Sequence, residues 1–162
     1  YNSEGICHQI MPEKGHILPG YAYVGTDSHT TTYGAFGAFS TGIGATEMAW
    51  VFNKGSIWMK VPSAILINID GVLPNYVYGK DLALYVMTLL GTDGASYKAI
   101  EYRGSSIRQL SIDSRCSLCN MAVEAGAKNG IIDADEKTVE FIKERTDRTF
   151  EIVHSDPDAV YD

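Results

Sequence analysis

The stretch VGTDSHTTTYGAFGAFSTGIGATE, residues 24–47, places three polar side chains between an apolar run and a glycine-rich run. The residues YAYVGT predict a β-strand, and ATEMAWVFNKG predicts a helix that ends at Gly55. Asp27, Ser28 and His29 are therefore expected at the carboxyl end of a strand. In α/β proteins, binding and catalytic sites are usually built at that edge of the sheet.

The rest of the chain alternates between strand-like and helix-like segments. Strands are predicted for AILINIDG, KAIEYRG and NGIID, and helices for GKDLALYVMTLLG, SLCNMAVEAGA and DEKTVEFIKERT. This alternation indicates an α/β fold with three layers, α/β/α. We place a domain boundary near Pro62. Residues 1–61 then form the C-terminal part of a first α/β domain, and residues 62–162 form a second, smaller α/β domain with a C-terminal linker.

Composition and charge restrict the classes of function. The 162 residues are 45% hydrophobic and 20% charged, as in ordinary globular domains. A net charge of -7 and a pI near 5.0 argue against a nucleic-acid or membrane-surface partner, which would require a basic patch. No apolar run approaches the roughly 18 residues of a membrane span. Three cysteines are too few for a disulfide framework, so we expect a cytoplasmic protein.

The beginning of the chain indicates a piece of a longer protein. The first residue is Tyr1 rather than Met, and YNSEGICHQI predicts neither a signal peptide nor the start of a helix. We therefore expect that further sequence precedes this chain.

The polar triplet has two interpretations. Asp27, Ser28 and His29 are consecutive and point in different directions, so they cannot form the line of nucleophile, base and orienting acid that a hydrolase requires. They can line one wall of a cavity around a polar ligand. Alternatively, they form an Asx-type turn with a histidine on the surface.

The glycines of YGAFGAFSTGIG invite comparison with a nucleotide-binding loop. GIGATE lacks the third glycine of a dinucleotide fingerprint, and no Gly-Lys-Ser/Thr of a phosphate-binding loop is present. The spacing permits close approach of the backbone to a neighbouring element or a bulky cofactor, or tight packing alone.

Histidine and cysteine spacing gives weaker signals. His8 has no second histidine at the spacing of a helical metal site. The C-x-x-C of Cys116 and Cys119 lacks the second pair that a zinc site requires. On a helix, Cys116, Asn120 and Glu124 share one stripe at i, i+4 and i+8. That stripe predicts either a hydrogen-bonding wall or a solvated helix face.

Four segments, in this order, together resemble the aconitase family: GICHQIMPEKG, GTDSHTTTYGAFGAFSTGIGATEMA, GKDLALYVMTLLGTDGASYKAIEYRG and LCNMAVEAGAKNGIIDADEKT. The resemblance covers nearly the whole chain and is nearest to the branch of 3-isopropylmalate dehydratase and homoaconitase large subunits. Its most specific motifs are D-S-H-T and C-N-M-x-x-E. It implies an aconitase-like α/β/α fold. It also implies dehydration and rehydration that shift a hydroxyl between adjacent carbons of a malate-type hydroxy acid at a [4Fe-4S] cluster.

The resemblance also implies roles for individual residues. Asp27 and His29 would lie near the hydroxyl or water bound to the iron, and Glu124 would support His29 or that water. His8 would orient Asp27 or protonate the leaving hydroxyl, and Asn120 would help to seat the cluster. The matched positions are catalytic His8, Asp27, Ser28, His29 and Glu124, and cofactor-binding Asn120.

Several features of the family are absent from this sequence. The family's cluster cysteines lie in a G-S-C-T-N stretch and a later pair, and neither is present, so no metal ligand is expected here. Cys7 is expected on a separate strand or loop, away from Cys116 and Cys119. The substrate-binding arginines are missing. So is the small subunit, or swivelling C-terminal domain, that would supply the catalytic base.

We therefore expect the chain to contribute half of a cavity, and by itself to bind no cluster and dehydrate nothing. Two other interpretations remain open. One is a non-catalytic binding or assembly module that keeps the fold, and the other is a zinc or redox module built on the C-x-x-C.

Overall fold

The computed structural model describes residues 3–162. Within these residues the strands form two parallel sheets, and the predicted α/β class is confirmed. One sheet pairs β1 (Ala22–Gly25) with β2 (Phe39–Gly42), and the other has the order β3 (Ala64–Asn68), β4 (Ala99–Arg103), β5 (Asn129–Ile132). The helices are α1 (Cys7–Glu13), α2 (Ala45–Lys54), α3 (Gly79–Leu90), α4 (Ser105–Gln109), α5 (Ile112–Asn120) and α6 (Glu136–Lys143). Two 3₁₀ helices span Ser28–Phe36 and Met121–Ala125.

Helix α3 packs on α5, and α5 packs on β5. The buried face of α3 includes Leu82, Ala83 and Val86, which recur at helical spacing. These side chains share one core with Ile100 and Tyr102 of β4, which are fully or almost fully buried. The spacing of apolar residues in GKDLALYVMTLLG thus correctly predicted which face of this helix is buried.

The first 3₁₀ helix connects the two sheets. It packs against β2, α5 and β5, and its residues 30–36 are buried. Gly34 lies so close to β5 that a Cβ atom at this position would be 1.6 Å from the carbonyl oxygen of Gly130. The glycine-rich run therefore allows close approach of two backbones, which is one of the interpretations drawn from its spacing.

Some local predictions were wrong. YNSEGICHQI contains the start of α1, so Cys7 and His8 lie on a helix rather than on a strand or loop. Among residues 3–162, no side chain caps this helix. Packing of its buried residues Ile10 and Pro12 stabilises it, which local sequence signals do not reveal. The segment SLCNMAVEAGA is not one helix, because α5 ends at Asn120 and a 3₁₀ helix follows. The first two residues lie outside the described part of the chain.

The predicted domain boundary at Pro62 lies in the segment between α2 and β3. Contacts cross this boundary, because the first 3₁₀ helix packs on α5 and β5 and the backbone N–H of Ser40 donates to Asn129 Oδ1 at 3.2 Å. The division into residues 1–61 and 62–162 stays a prediction. Among residues 3–162, no helix combines the length and the apolar character needed to cross a membrane.

Candidate functional site

The polar triplet follows the carboxyl end of β1, as predicted. Asp27 caps the first 3₁₀ helix, and its Oδ1 accepts a hydrogen bond from the backbone N–H of His29 at 2.8 Å. Gly42 on β2 leaves room for this turn, because a Cβ atom there would lie 2.8 Å from both the Asp27 carbonyl oxygen and Ser28 Cα. The Asx-type turn is therefore present, and it forms the base of a cluster of polar side chains.

His8 reaches Asp27 from α1. Its Nε2 lies 3.0 Å from Asp27 Oδ1, although the two residues are 19 positions apart. The backbone N–H of His29 lowers the pKa of Asp27, desolvation opposes this effect, and the hydrogen bond from His8 lowers the pKa further. Because an ionised carboxylate can only accept hydrogen bonds, His8 Nε2 carries a proton. Within residues 3–162, Asp27 Oδ2 accepts no hydrogen bond, and the side chain is 55% exposed.

His29 forms a second pair with a carboxylate. Its Nε2 lies 3.0 Å from Glu124 Oε1, and its Nδ1 lies 3.2 Å from Ser28 Oγ. When Nε2 donates to the carboxylate, Nδ1 of the neutral imidazole accepts a hydrogen bond from the Ser28 hydroxyl. The ring centroids of His8 and His29 are 6.4 Å apart, so the two histidine–carboxylate pairs are neighbours.

Asn120, the last residue of α5, binds the first 3₁₀ helix. Its Nδ2 donates to Thr32 Oγ1 at 2.8 Å, and its backbone carbonyl accepts from Thr31 Oγ1 at 3.2 Å. No function was predicted from the sequence for Thr31 or Thr32. In the sequence, the run of three threonines directly after the D-S-H triplet could have indicated them. In the structure these polar side chains are buried.

Cys116, Asn120 and Glu124, predicted to share one helix face, do not all line the same cavity. Cys116 and Asn120 line a cavity of about 700 Å³ between α1, the first 3₁₀ helix and α5, and His8 lines the same cavity from α1. Glu124 does not line it, because the chain changes from α to 3₁₀ geometry after Asn120, and Glu124 pairs with His29 instead. The hydrogen-bonding wall is therefore present only in part on this helix face.

The cysteines do not form a site for an iron–sulfur cluster. Cys119 is completely buried, and burial raises its pKa. Burial also raises the pKa of Cys116 to about 12. Cys7 is exposed on α1, with its Sγ 3.6 Å from His8 Nδ1.

A cluster requires several converging thiolates, and the completely buried Cys119 has no exposed surface at which to bind one. In the described part of the chain, no three His, Cys, Asp or Glu side chains are arranged to hold a metal ion. The residues present therefore do not fit as ligands of a [4Fe-4S] cluster. The same burial disfavours a zinc or redox module at the C-x-x-C.

Comparison with known proteins agrees with the resemblance seen in the motifs. A family model described as "Aconitase family (aconitate hydratase)" matches residues 1–161. A probable methanogen homoaconitase large subunit of Methanosarcina mazei is 54% identical over 158 residues, which are 98% of this chain and 40% of that protein. The 3-isopropylmalate dehydratase large subunit 1 of Methanopyrus kandleri is 52% identical over 98% of this chain and 38% of its own length.

A 3-isopropylmalate dehydratase large subunit of Aquifex aeolicus is 49% identical over 98% of this chain and 37% of that protein. The chain thus spans about 40% or less of the length of these relatives.

Proposed function

The chain belongs to the aconitase family, and we propose that it is part of the large subunit of a hydro-lyase. Such an enzyme would shift a hydroxyl between adjacent carbons of a malate-type hydroxy acid by dehydration and rehydration. The observation that carries the proposal is the meeting of two histidine–carboxylate pairs, His8 with Asp27 and His29 with Glu124, at the carboxyl end of β1. Both pairs are made of residues that the sequence resemblance assigns to the family's active site.

Asp27 would accept a hydrogen bond from a substrate hydroxyl or from a water molecule. Its pKa is lowered, so the carboxylate is ionised and able to accept. Oδ1 is held by the His29 backbone and by His8 Nε2, which leaves Oδ2 as the available acceptor of this partly exposed side chain. His8 fixes the orientation of the carboxylate, as the orienting partner of a catalytic acid or base does.

His29 would hold and return a proton. Glu124 accepts from Nε2, which stabilises the imidazolium that forms when Nδ1 takes up a proton. Ser28 Oγ lies against that Nδ1 and would bind a polar group of the substrate beside it. The family's [4Fe-4S] cluster would supply a Lewis acid, and its ligands are expected outside this chain, with Asn120 helping to seat it.

We propose 3-isopropylmalate dehydration as the reaction of the parent enzyme. Relatives with that name match the chain at about 50% identity. Homoaconitase is the second candidate, because a relative of that name is 54% identical.

The relatives are named large subunits, which supports a small subunit, or a swivelling domain of the same enzyme, as the partner that completes the cavity. We further propose a cytoplasmic location, because three cysteines are too few for a disulfide framework.

Anaerobic assays of the complete parent enzyme with its partner test the proposal. Turnover would be measured with 3-isopropylmalate and with homoaconitate as alternative substrates. Preference for the first by kcat/KM is the expected result, and preference for the second would reassign the substrate. No turnover with either, in a parent protein that holds its cluster, would favour the non-catalytic binding or assembly module.

A further inference from the structure

We propose that Thr32 is a positioning residue that sets which way the side-chain amide of Asn120 faces. The inference rests on the proposed function only in that Asn120 belongs to the proposed site. Thr32 is 4% exposed and lies in the first 3₁₀ helix, one turn after His29. It touches both residues through the same hydroxyl group.

The direction of each hydrogen bond follows from the single proton of that hydroxyl. Thr32 Oγ1 donates to the carbonyl oxygen of His29 at 2.7 Å, and a carbonyl can only accept. The hydroxyl therefore has no second proton for Asn120 and can only accept from it. Because Nδ2 lies 2.8 Å from Oγ1, the amide must turn an N–H towards Thr32. The opposite orientation would place two acceptor oxygens in contact, which is unfavourable in a buried position.

The backbone of Asn120 is held separately by the preceding threonine. Thr31 Oγ1 donates to the Asn120 carbonyl at 3.2 Å, so two consecutive side chains of the 3₁₀ helix bind the end of α5. Thr31 fixes the position of the residue, and Thr32 fixes the orientation of its amide. Thr31 therefore offers a control, since its removal costs a part-buried hydrogen bond to the same residue without affecting the side-chain amide.

The orientation decides what Asn120 presents to the cavity of about 700 Å³ that it lines. With one N–H bound to Thr32, the amide oxygen and the second N–H remain. Within residues 3–162, Asn120 Oδ1 accepts no hydrogen bond. Asn120 can therefore offer one acceptor and one donor to a group in the cavity that both donates and accepts, such as a hydroxyl or a bound water.

Nuclear magnetic resonance of the 162-residue chain tests the orientation directly. We expect one of the two Asn120 side-chain amide protons to exchange with solvent at least about tenfold more slowly than the other, because only one is bonded to a buried acceptor. Thr32→Val should abolish this difference, since it keeps the shape and removes the hydroxyl. Thr32→Ser and the control Thr31→Val should retain it.

Equal exchange of both protons in the unmodified chain would overturn the proposal, even if Thr32→Val failed to fold. Persistence of the difference in a folded Thr32→Val chain would overturn it as well, and so would its loss in Thr32→Ser. In the parent enzyme, Thr32→Val should lower kcat/KM about tenfold, and Thr32→Ser should restore most of it. Absence of turnover in the unmodified parent would refute the hydro-lyase function alone, because the exchange measurement does not depend on activity.

Discussion

His29 Nε2 lies 3.0 Å from Glu124 Oε1, and these two residues are 95 positions apart in the chain. The contact exists because the first 3₁₀ helix packs against α5 and against the second 3₁₀ helix. His29 is fixed at the start of the first 3₁₀ helix by the Asp27 cap, and Glu124 is carried by the second. The packing of these elements thus assembles an imidazole–carboxylate pair beside the pair of His8 and Asp27.

Replacement of the paired groups should impair turnover without unfolding the protein. In the parent enzyme, we expect Asp27→Asn or His29→Gln to lower kcat by roughly a hundredfold or more, because each removes a positioned acid–base group. The exposed fraction of the Asp27 side chain is 55%, so the fold should tolerate the change. Steady-state kinetics, with circular dichroism as the folding check, measures both effects.

Asp133 supplies a matched control for these variants. Its Oδ2 lies 3.1 Å from His154 Nδ1, so it forms the same kind of pair elsewhere on the surface. Asp133→Asn should leave kcat within about twofold, since an exposed pair contributes little. Near-normal activity of both Asp27→Asn and His29→Gln would mean that the polar triplet forms a turn and takes no part in the reaction.

Gly34→Ala should destabilise the fold strongly. The added methyl group would lie 1.6 Å from the Gly130 carbonyl oxygen, so the first 3₁₀ helix and β5 must separate. We expect a loss of about 3 kcal/mol or more in the free energy of unfolding. Urea denaturation followed by circular dichroism provides the measurement.

Gly55→Ala is the control for that substitution. Gly55 has a positive φ of 69° at the end of α2, and no atom of residues 3–162 lies within 4 Å of the position that its Cβ would take. The cost should be about 1 kcal/mol, from backbone strain alone. Equal losses in the two variants would mean that close packing of Gly34 against β5 does not stabilise the fold.

Because of Asp135, the free energy of unfolding should decrease as the pH falls in the acid range. Burial opposes its ionisation, but hydrogen bonds from the completely buried Arg115 and the positive charge of that residue outweigh burial and lower the pKa of Asp135. The folded-state pKa is therefore below the unfolded value of about 3.9. The stabilisation is fully present above that value and is lost as the pH falls through the folded-state pKa.

Asp135→Asn tests this contribution. The change leaves the Arg115 guanidinium buried without its carboxylate, so it should cost about 3 kcal/mol at pH 7. The urea midpoints of the variant and the unmodified chain should converge below pH 4. A difference between them that is independent of pH would contradict the linkage, and Asp133→Asn again serves as the surface control.

Reconstitution with iron and sulfide should yield no stable cluster on this chain alone. Cys119 is completely buried, Cys116 is partly buried, and Cys7 lies on a different helix, α1. After anaerobic incubation and desalting, iron should stay at the background found for Cys116→Ala. About four irons per chain, together with cluster-like visible absorption, would show that the C-x-x-C does act as a ligand pair.

Much of the fold was predictable from local sequence. The strand before Asp27 and the helix that ends at Gly55 could be predicted, and both are present. Apolar periodicity and a glycine at the end of a helix are signals that a short stretch of sequence carries by itself. Helix α1 and the division at Asn120 were not predictable in this way, because buried contacts with distant residues decide them.

The sequence by itself determined the α/β class, the position of Asp27, Ser28 and His29 after a strand, and the aconitase resemblance, because order and spacing along the chain carry these features. Only the tertiary structure decided that His29 pairs with Glu124 and that Thr32 binds Asn120. The physical reason is that each pairing joins residues 88 or more positions apart. Such contacts depend on how closely Gly34 lets the first 3₁₀ helix approach β5, a distance set by backbone packing rather than by any local pattern.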